Sequence, residues 1–356
     1  MIYGHIITLE PVVHGSIPEF NAKRPKGAPL EFNRINIAYP LVNEKGKIKY
    51  EFARIPVISG NSVRGQGRRR FIAKTLEALE TPERSLHPML VHLLASGGST
   101  SKGQTTPSNQ YMYKTEMRKN MPFIDLLGGS VCGMFLKGML KTGMVYPVVK
   151  ETSWMLVGTP LEAMVAEREH PAAGDVDSRI FTIRMCKQSV GDELQIYSAG
   201  AIEEEIEEFK ENGAEENNEA AKIKGAIFSA EALPAGVPLF NVCGVRYNGN
   251  NLLDSALNAF VETLLEIGTL GGYIAKGCGR VNAEYFYGDG TRFDPSKSKM
   301  YWEHLRAKKN EINEYMIKEF PKIIKASDEA TEKEKERQEK SKQKQKEEKQ
   351  QNGMRG

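Results

Sequence analysis

The stretch IPVISGNSVRGQGRRRFIAKTLEAL, residues 55–79, constrains the fold more than any other part of the chain. A short apolar strand meets a turn of Ser, Gly and Asn. Beyond it, Ile72, Leu76 and Leu79 recur at spacings of four and three, which is the apolar face of a helix. The C-terminal half carries the reverse unit. Residues 252–267 (LLDSALNAFVETLLEI) form an amphipathic helix that runs through a glycine-rich loop into a strand from Val281 to Tyr287. Helices placed beside strands in this way must cover a sheet.

Other segments add strands. Residues 2–10 are rich in β-branched residues and closed by Pro11. Residues 35–42 and 47–52 predict a hairpin, and 226–233 and 237–247 two further strands. Residues 179–199 alternate as two strands around Ser189-Val190-Gly191-Asp192. Residues 86–94 read as a short helix, and 126–149 as a helix passing into a strand. Strands outnumber long helices. The predicted class is α+β: an antiparallel sheet with helices on one face, as in a ferredoxin-like core with insertions.

At 356 residues, one domain with large insertions and two domains are both open. Apolar residues make up 40% of the chain, enough for a sizeable core. No run of about 18 apolar residues suggests a membrane span. The N-terminus reads as a first strand rather than a targeting signal. Cys132, Cys186, Cys243 and Cys278 never form C-x-x-C, so neither a zinc site nor a disulfide framework is predicted, and a reducing cytosol is expected. A net charge of +3 decides little, but its distribution is uneven. From Glu19 to Glu80 there are thirteen Lys/Arg against six Glu, whereas 203–219 holds nine Glu and one Lys and reads as a solvated acidic insertion. Residues 291–325 predict a helical extension. From about Ala326 the chain has no apolar face, so 326–356 predicts a disordered charged tail or a frayed helix.

Two constellations carry chemistry. Ser59, Asn61 and Ser62 stand where a strand turns into a helix, a position that collects backbone N–H groups and suits a phosphate. Arg64 and Arg68 follow on one helix face, with Arg69 and Arg70 beside them. The plainer reading is that Ser62 caps the helix and the arginines are solvated. The second constellation, GTLGGYIAKGCGR from Gly268 to Arg280, includes Gly271, Gly272 and Lys276 and lets backbone approach a ligand; its plainer reading is a hinge. It follows a helix and lacks G-x-x-x-x-G-K-[ST], so it is neither a dinucleotide-binding loop nor a P-loop.

Ile55-Pro56, with Gly60-Asn61-Ser62-Val63-Arg64-Gly65 and Arg68, resembles the I-P…S-x-[KR]-G-x-x-R signature of the CRISPR-associated RAMP proteins. Leu270 to Val281 resembles their C-terminal glycine-rich loop, with Cys278 where His or Phe is common. Phe228 to Gly236 resembles the E-x-L-P-x-G strand–turn of their backbone subunits, followed by Phe240 in an apolar strand. The three motifs in order cover residues 1 to about 290. They are most similar to the large backbone subunit of type IV complexes (the Cas group numbered seven), with type I-D next. The resemblance implies a modified RNA-recognition fold. It implies copies stacked along a guide RNA in a helical filament, other effector subunits as neighbours, and a target nucleic acid that pairs with the guide. It also implies a finger region at 85–125 and a thumb hairpin at 180–197 with Arg184 and Lys187 near its tip. Lys23, Arg24, Lys26 and Arg34, in the basic loop after the first strand, join the RNA-binding set with Arg280.

Some relatives cut RNA with an acidic residue in the loop after the first strand. Here His14 to Arg34 holds no Asp, only Glu19 and Glu31, and His14 has no placed partner as a general base. The expectation is a binding protein without cofactor or metal. A ribonuclease subunit using Glu19, Glu31 or His14, and a small phosphate-ligand binder, are the alternatives.

Overall fold

A computed structural model describes residues 1–15, 30–42, 45–98, 105–165, 169–176, 178–184, 226–246 and 249–353. Its centre is β1 (Ile2–Thr8), whose Ile2, Gly4, Ile6 and Thr8 are buried in strict alternation. On one side β1 pairs antiparallel with β11 (Val281–Tyr287), and on the other with β10 (Pro238–Val245). β10 in turn pairs antiparallel with the short β6 (Leu140–Thr142) and β7 (Tyr146–Pro147). Helix α1 (Gly60–Ala78) lies between β1 and β6 in the chain, and α5 (Asn251–Ile267) between β10 and β11. The core strands therefore stand in the order fourth, first, third, second. This is the ferredoxin-like β-α-β-β-α-β arrangement, and the predicted α+β class holds.

α1 and α5 share one apolar core, where Phe71 meets Phe260 edge-on at 5.9 Å and stacks on Tyr301 at 5.4 Å. The opposite sheet face is covered as well. Tyr3, Phe240 and Phe286 lie under Val148–Leu161, with Tyr146 stacked on Phe240 at 5.4 Å. The strand order of an RNA-recognition fold is present, but the sheet face such folds offer to bases is closed by the chain itself.

The excursions attach to this core. β2 (Arg34–Val42) and β3 (Ile48–Pro56) form the predicted hairpin. The region 85–125 contributes α2 (Pro88–Ser96), α3 (Gln110–Asn120) and α4 (Pro122–Leu127), whose Leu90, Leu93, Met117, Met121 and Phe123 join the main core. Residues 126–149 differ from expectation. They make a tight hairpin, β4 (Gly129–Val131) with β5 (Met134–Leu136), before β6 and β7. Cys132 and Gly133 both take positive φ, 51° and 67°, as a two-residue hairpin turn demands. The predicted thumb hairpin at 180–197 is described only in its first strand. β8 (Ser178–Arg184) pairs with β9 (Ala226–Ala232), and the proposed partner at 193–199 lies outside the described residues, as does the acidic insertion 203–219.

After β11 come α6 (Lys299–Ala307), α7 (Lys309–Glu314), a π-helical turn (Tyr315–Glu319) and α8 (Phe320–Gly353). Tyr301, Leu305, Ile312, Met316 and Phe320 anchor them to the core. Of the two readings of 326–356, a disordered tail or a frayed helix, the structure has the helix, as the continuation of α8 to Gly353. Glu, Lys and Gln are good helix formers, so the segment keeps its helix without an apolar face to bury. Its first two turns do pack: Ser327 Oγ donates to Thr105 O (3.0 Å), and Thr105 N donates to Thr331 Oγ1 (2.9 Å).

Candidate nucleic-acid interface

The site is assembled around the N-terminus of α1. Ser59 is the N-cap, extended at φ −64°, and its Oγ accepts from Ser62 N at 3.2 Å. Ser62 is therefore in the first turn and is not the cap the sequence suggested. Ser59 N donates to His14 Nε2 at 3.2 Å, which requires that nitrogen to be unprotonated. Burial lowers the His14 pKa and so favours this form.

The segment after β1 is the common tie between the motifs. Val12 exchanges backbone hydrogen bonds with Leu233, at the end of β9. Gly272 N donates to Val13 O (2.7 Å), and Gly279 N to Pro11 O (2.9 Å). Gln66 of α1 closes the ring by donating from Nε2 to Gly271 O at 2.8 Å. Gly271 has φ +77°, and a Cβ there would collide with Val13 O. The helix-start motif, the glycine-rich loop and the E-x-L-P-x-G turn are thus fastened to the same few residues.

Arg64 and Arg68 share a face of α1, as predicted, but are not both offered to a ligand. Arg68 is 4% exposed. Its guanidinium donates to Leu93 O (2.6 Å), Leu94 O (2.7 Å) and Gly128 O (2.8 Å). Burial, and secondarily Arg64, bring its pKa to about 10, so it stays charged at neutral pH. The expectation that Arg68 grips a phosphate is corrected: it fastens α2 and the α4–β4 turn to α1. Arg64 is half-buried and donates to Leu127 O. Burial lowers its pKa, and Arg246 lowers it further by repulsion.

These arginines floor a cleft of about 370 Å³, whose lining also includes Asn61, Ser130, Lys137 and Arg246. No carboxylate lines it among the described residues. Arg246 and Lys137 are exposed, and neither side chain has a hydrogen-bond or ion-pair partner among the described residues. Ser130 Oγ is buried without a partner. Cations gathered without a lining carboxylate suit an anion. Arg246 and Lys137 were missed in the sequence. One follows β10 and the other follows β5, and no local pattern marks either.

The remaining predicted residues are dispersed. Arg34 forms an ion pair with Glu231 at 2.5 Å, the two side chains 14% and 12% exposed, and Glu231 also accepts from Phe32 N. Arg34 thus ties β2 to β9 rather than facing a ligand. Arg69 is exposed on α1. Lys276 lies 4.5 Å above the Tyr273 ring, and exposed Arg280 lies 3.4 Å from Glu10. Arg184 stands at the end of β8, opposite Ala226. Lys23, Arg24, Lys26, Lys187 and Glu19 fall outside the described residues, and Glu31 is exposed.

Fold and site together define a ferredoxin-like α+β protein with a cleft lined by basic side chains beside the first helix. The chain matches no protein-family model and no curated protein. Among solved structures it is similar to a chain of a "Type IV-B CRISPR Complex", at 18% identity and a TM-score of 0.44, over 80% of this chain and 89% of that one.

Proposed function

We propose that this chain holds CRISPR guide RNA by its phosphates, as a repeated backbone subunit of a type IV effector complex, and that it performs no catalysis. The observation that supports this reading is the cleft at the start of α1, where Arg64, Lys137 and Arg246 converge with no lining carboxylate among the described residues. Such a cleft takes a phosphodiester whatever base it bears. The covered sheet face supports the same reading, since bases do not reach it and their edges remain available for pairing with a target. His14 Nε2 already accepts the Ser59 N–H, which argues against a general base there. Other effector subunits and a paired target strand are the partners this role requires.

The test is purification from cells that co-express a CRISPR array, with the particle and its nucleic acid sized. A large particle carrying one discrete guide RNA, which leaves added target RNA intact in magnesium, is the expected result. A nucleic-acid-free monomer overturns the reading, and cleavage of target RNA at regular intervals overturns its non-catalytic part.

A further inference from the structure

The β2–β3 hairpin presents a second surface of different chemistry. Its register sets Asn36 opposite Arg54, Ala38 opposite Phe52, Pro40 opposite Tyr50 and Val42 opposite Ile48, so these eight side chains share one face. The other face turns Ile37 and Ile55 into the core. On the first face Phe52 is 79% exposed, Val42 70%, Tyr50 63% and Ile48 62%. Single exposed apolar residues are ordinary, but a contiguous row on one ribbon marks a binding surface.

What fits it follows from the order along β3. Tyr50, Phe52 and Arg54 occupy positions i, i+2 and i+4, and each carries a flat group that stacks on a nucleobase. Neighbours on one face of a strand stand about 6.8 Å apart, twice the rise per residue. That is also about twice the 3.4 Å spacing of stacked bases, so one base fits between each adjacent pair of flat groups. Charge agrees: the face carries Arg54 and no carboxylate, and Lys45 and Lys47 stand at the tip of the hairpin. Asn36, exposed beside Arg54, adds a donor and an acceptor at the end of the row.

We propose that the outer face of the β2–β3 hairpin binds single-stranded nucleic acid by stacking its bases between Tyr50, Phe52 and Arg54. This surface acts through bases, whereas the cleft beside α1 acts through phosphates, and it does not depend on the guide-RNA reading. It binds an unpaired strand and rejects a duplex, whose bases are already stacked.

The test is fluorescence anisotropy of the full chain with a labelled single-stranded oligonucleotide, a fully abasic oligonucleotide of equal length, and a duplex. The doubly substituted Tyr50→Ser, Phe52→Ser variant is compared, with circular dichroism as a check on folding. The expected result is at least tenfold weaker binding of the base-bearing strand by the variant, with the slope of log affinity against log salt unchanged. The wild type binds the abasic strand as weakly as the variant binds the base-bearing one. Equal wild-type affinity for the base-bearing and abasic strands overturns the proposal, even if the variant fails to fold. Unchanged nucleic-acid binding in a folded variant that has lost self-association by sedimentation also overturns it, and gives the face to a second copy of the chain.

Discussion

Arg68 donates to three backbone carbonyls from a nearly fully buried position, and Arg246 projects from the end of β10 with no partner among the described residues. Their substitutions should separate cleanly. Arg68→Met leaves carbonyls unsatisfied in the core and should cost about 3 kcal/mol in urea unfolding, with RNA binding lost only as folding is lost. Arg246→Ala with Lys137→Ala should leave the unfolding midpoint almost unchanged. It should weaken RNA binding equally for all sequences and lower the salt slope by about 1.4, at about 0.7 per phosphate contact on a single strand. His14 gives a pH signature. Its folded pKa lies below its ordinary 6.5, so the unfolded chain takes up its proton first. Its contribution is fully present above pH 6.5 and declines as pH falls from there toward the folded value. Thermal melts at pH 7.5 and 5.5 should show this loss, and His14→Gln should shrink it; His304, lowered in the same direction, accounts for a remainder.

Among the elements, α8 combines two kinds of helix. Through Thr331 it is part of the fold, because Ser327 and Thr331 both bond the backbone of Thr105. Beyond it the exposed Glu, Lys and Gln hold helical geometry by propensity and by spaced pairs such as Gln338 with Glu334. Removing 335–356 should leave the melting temperature within a degree or two. Removing 326–356 should lower stability by about 1–2 kcal/mol, since two hydrogen bonds and the burial of Ser327 go with it. Differential scanning calorimetry of the two truncations distinguishes a packed first turn from a tail that is free throughout.

At the scale of the molecule, the sheet is closed on both faces, by α1 and α5 on one side and by Val148–Leu161 on the other. Phe240, 5% exposed, therefore belongs to a core and not to a base-binding platform. Phe240→Ala should cost about 3–5 kcal/mol of stability, while the RNA affinity of the fraction that remains folded stays at the wild-type value. A selective loss of RNA binding at unchanged stability would place RNA on the sheet and contradict the arrangement described above.

Local pattern was sufficient for β1, the β2–β3 hairpin, α1, α5 and β11. Each of these carries its own periodicity and its own turn residues, and their sum is the α+β class. Pattern also located the start of α1 and the glycine-rich loop as a pair. Other features depended on partners far away in the chain. Ser59 rather than Ser62 caps α1, because the chain turns three residues earlier, where His14 receives the Ser59 N–H. Arg68 and Arg34 look like surface cations in the sequence, yet one meets carbonyls 25 to 60 residues away and the other meets Glu231. Arg246 and Lys137 enter the site because β10 and the β4–β5 hairpin converge on α1. Periodicity reports which face of an element is apolar. Which cation on that element is neutralised by a distant carbonyl or carboxylate, and which stays available, is a property of the packed molecule alone.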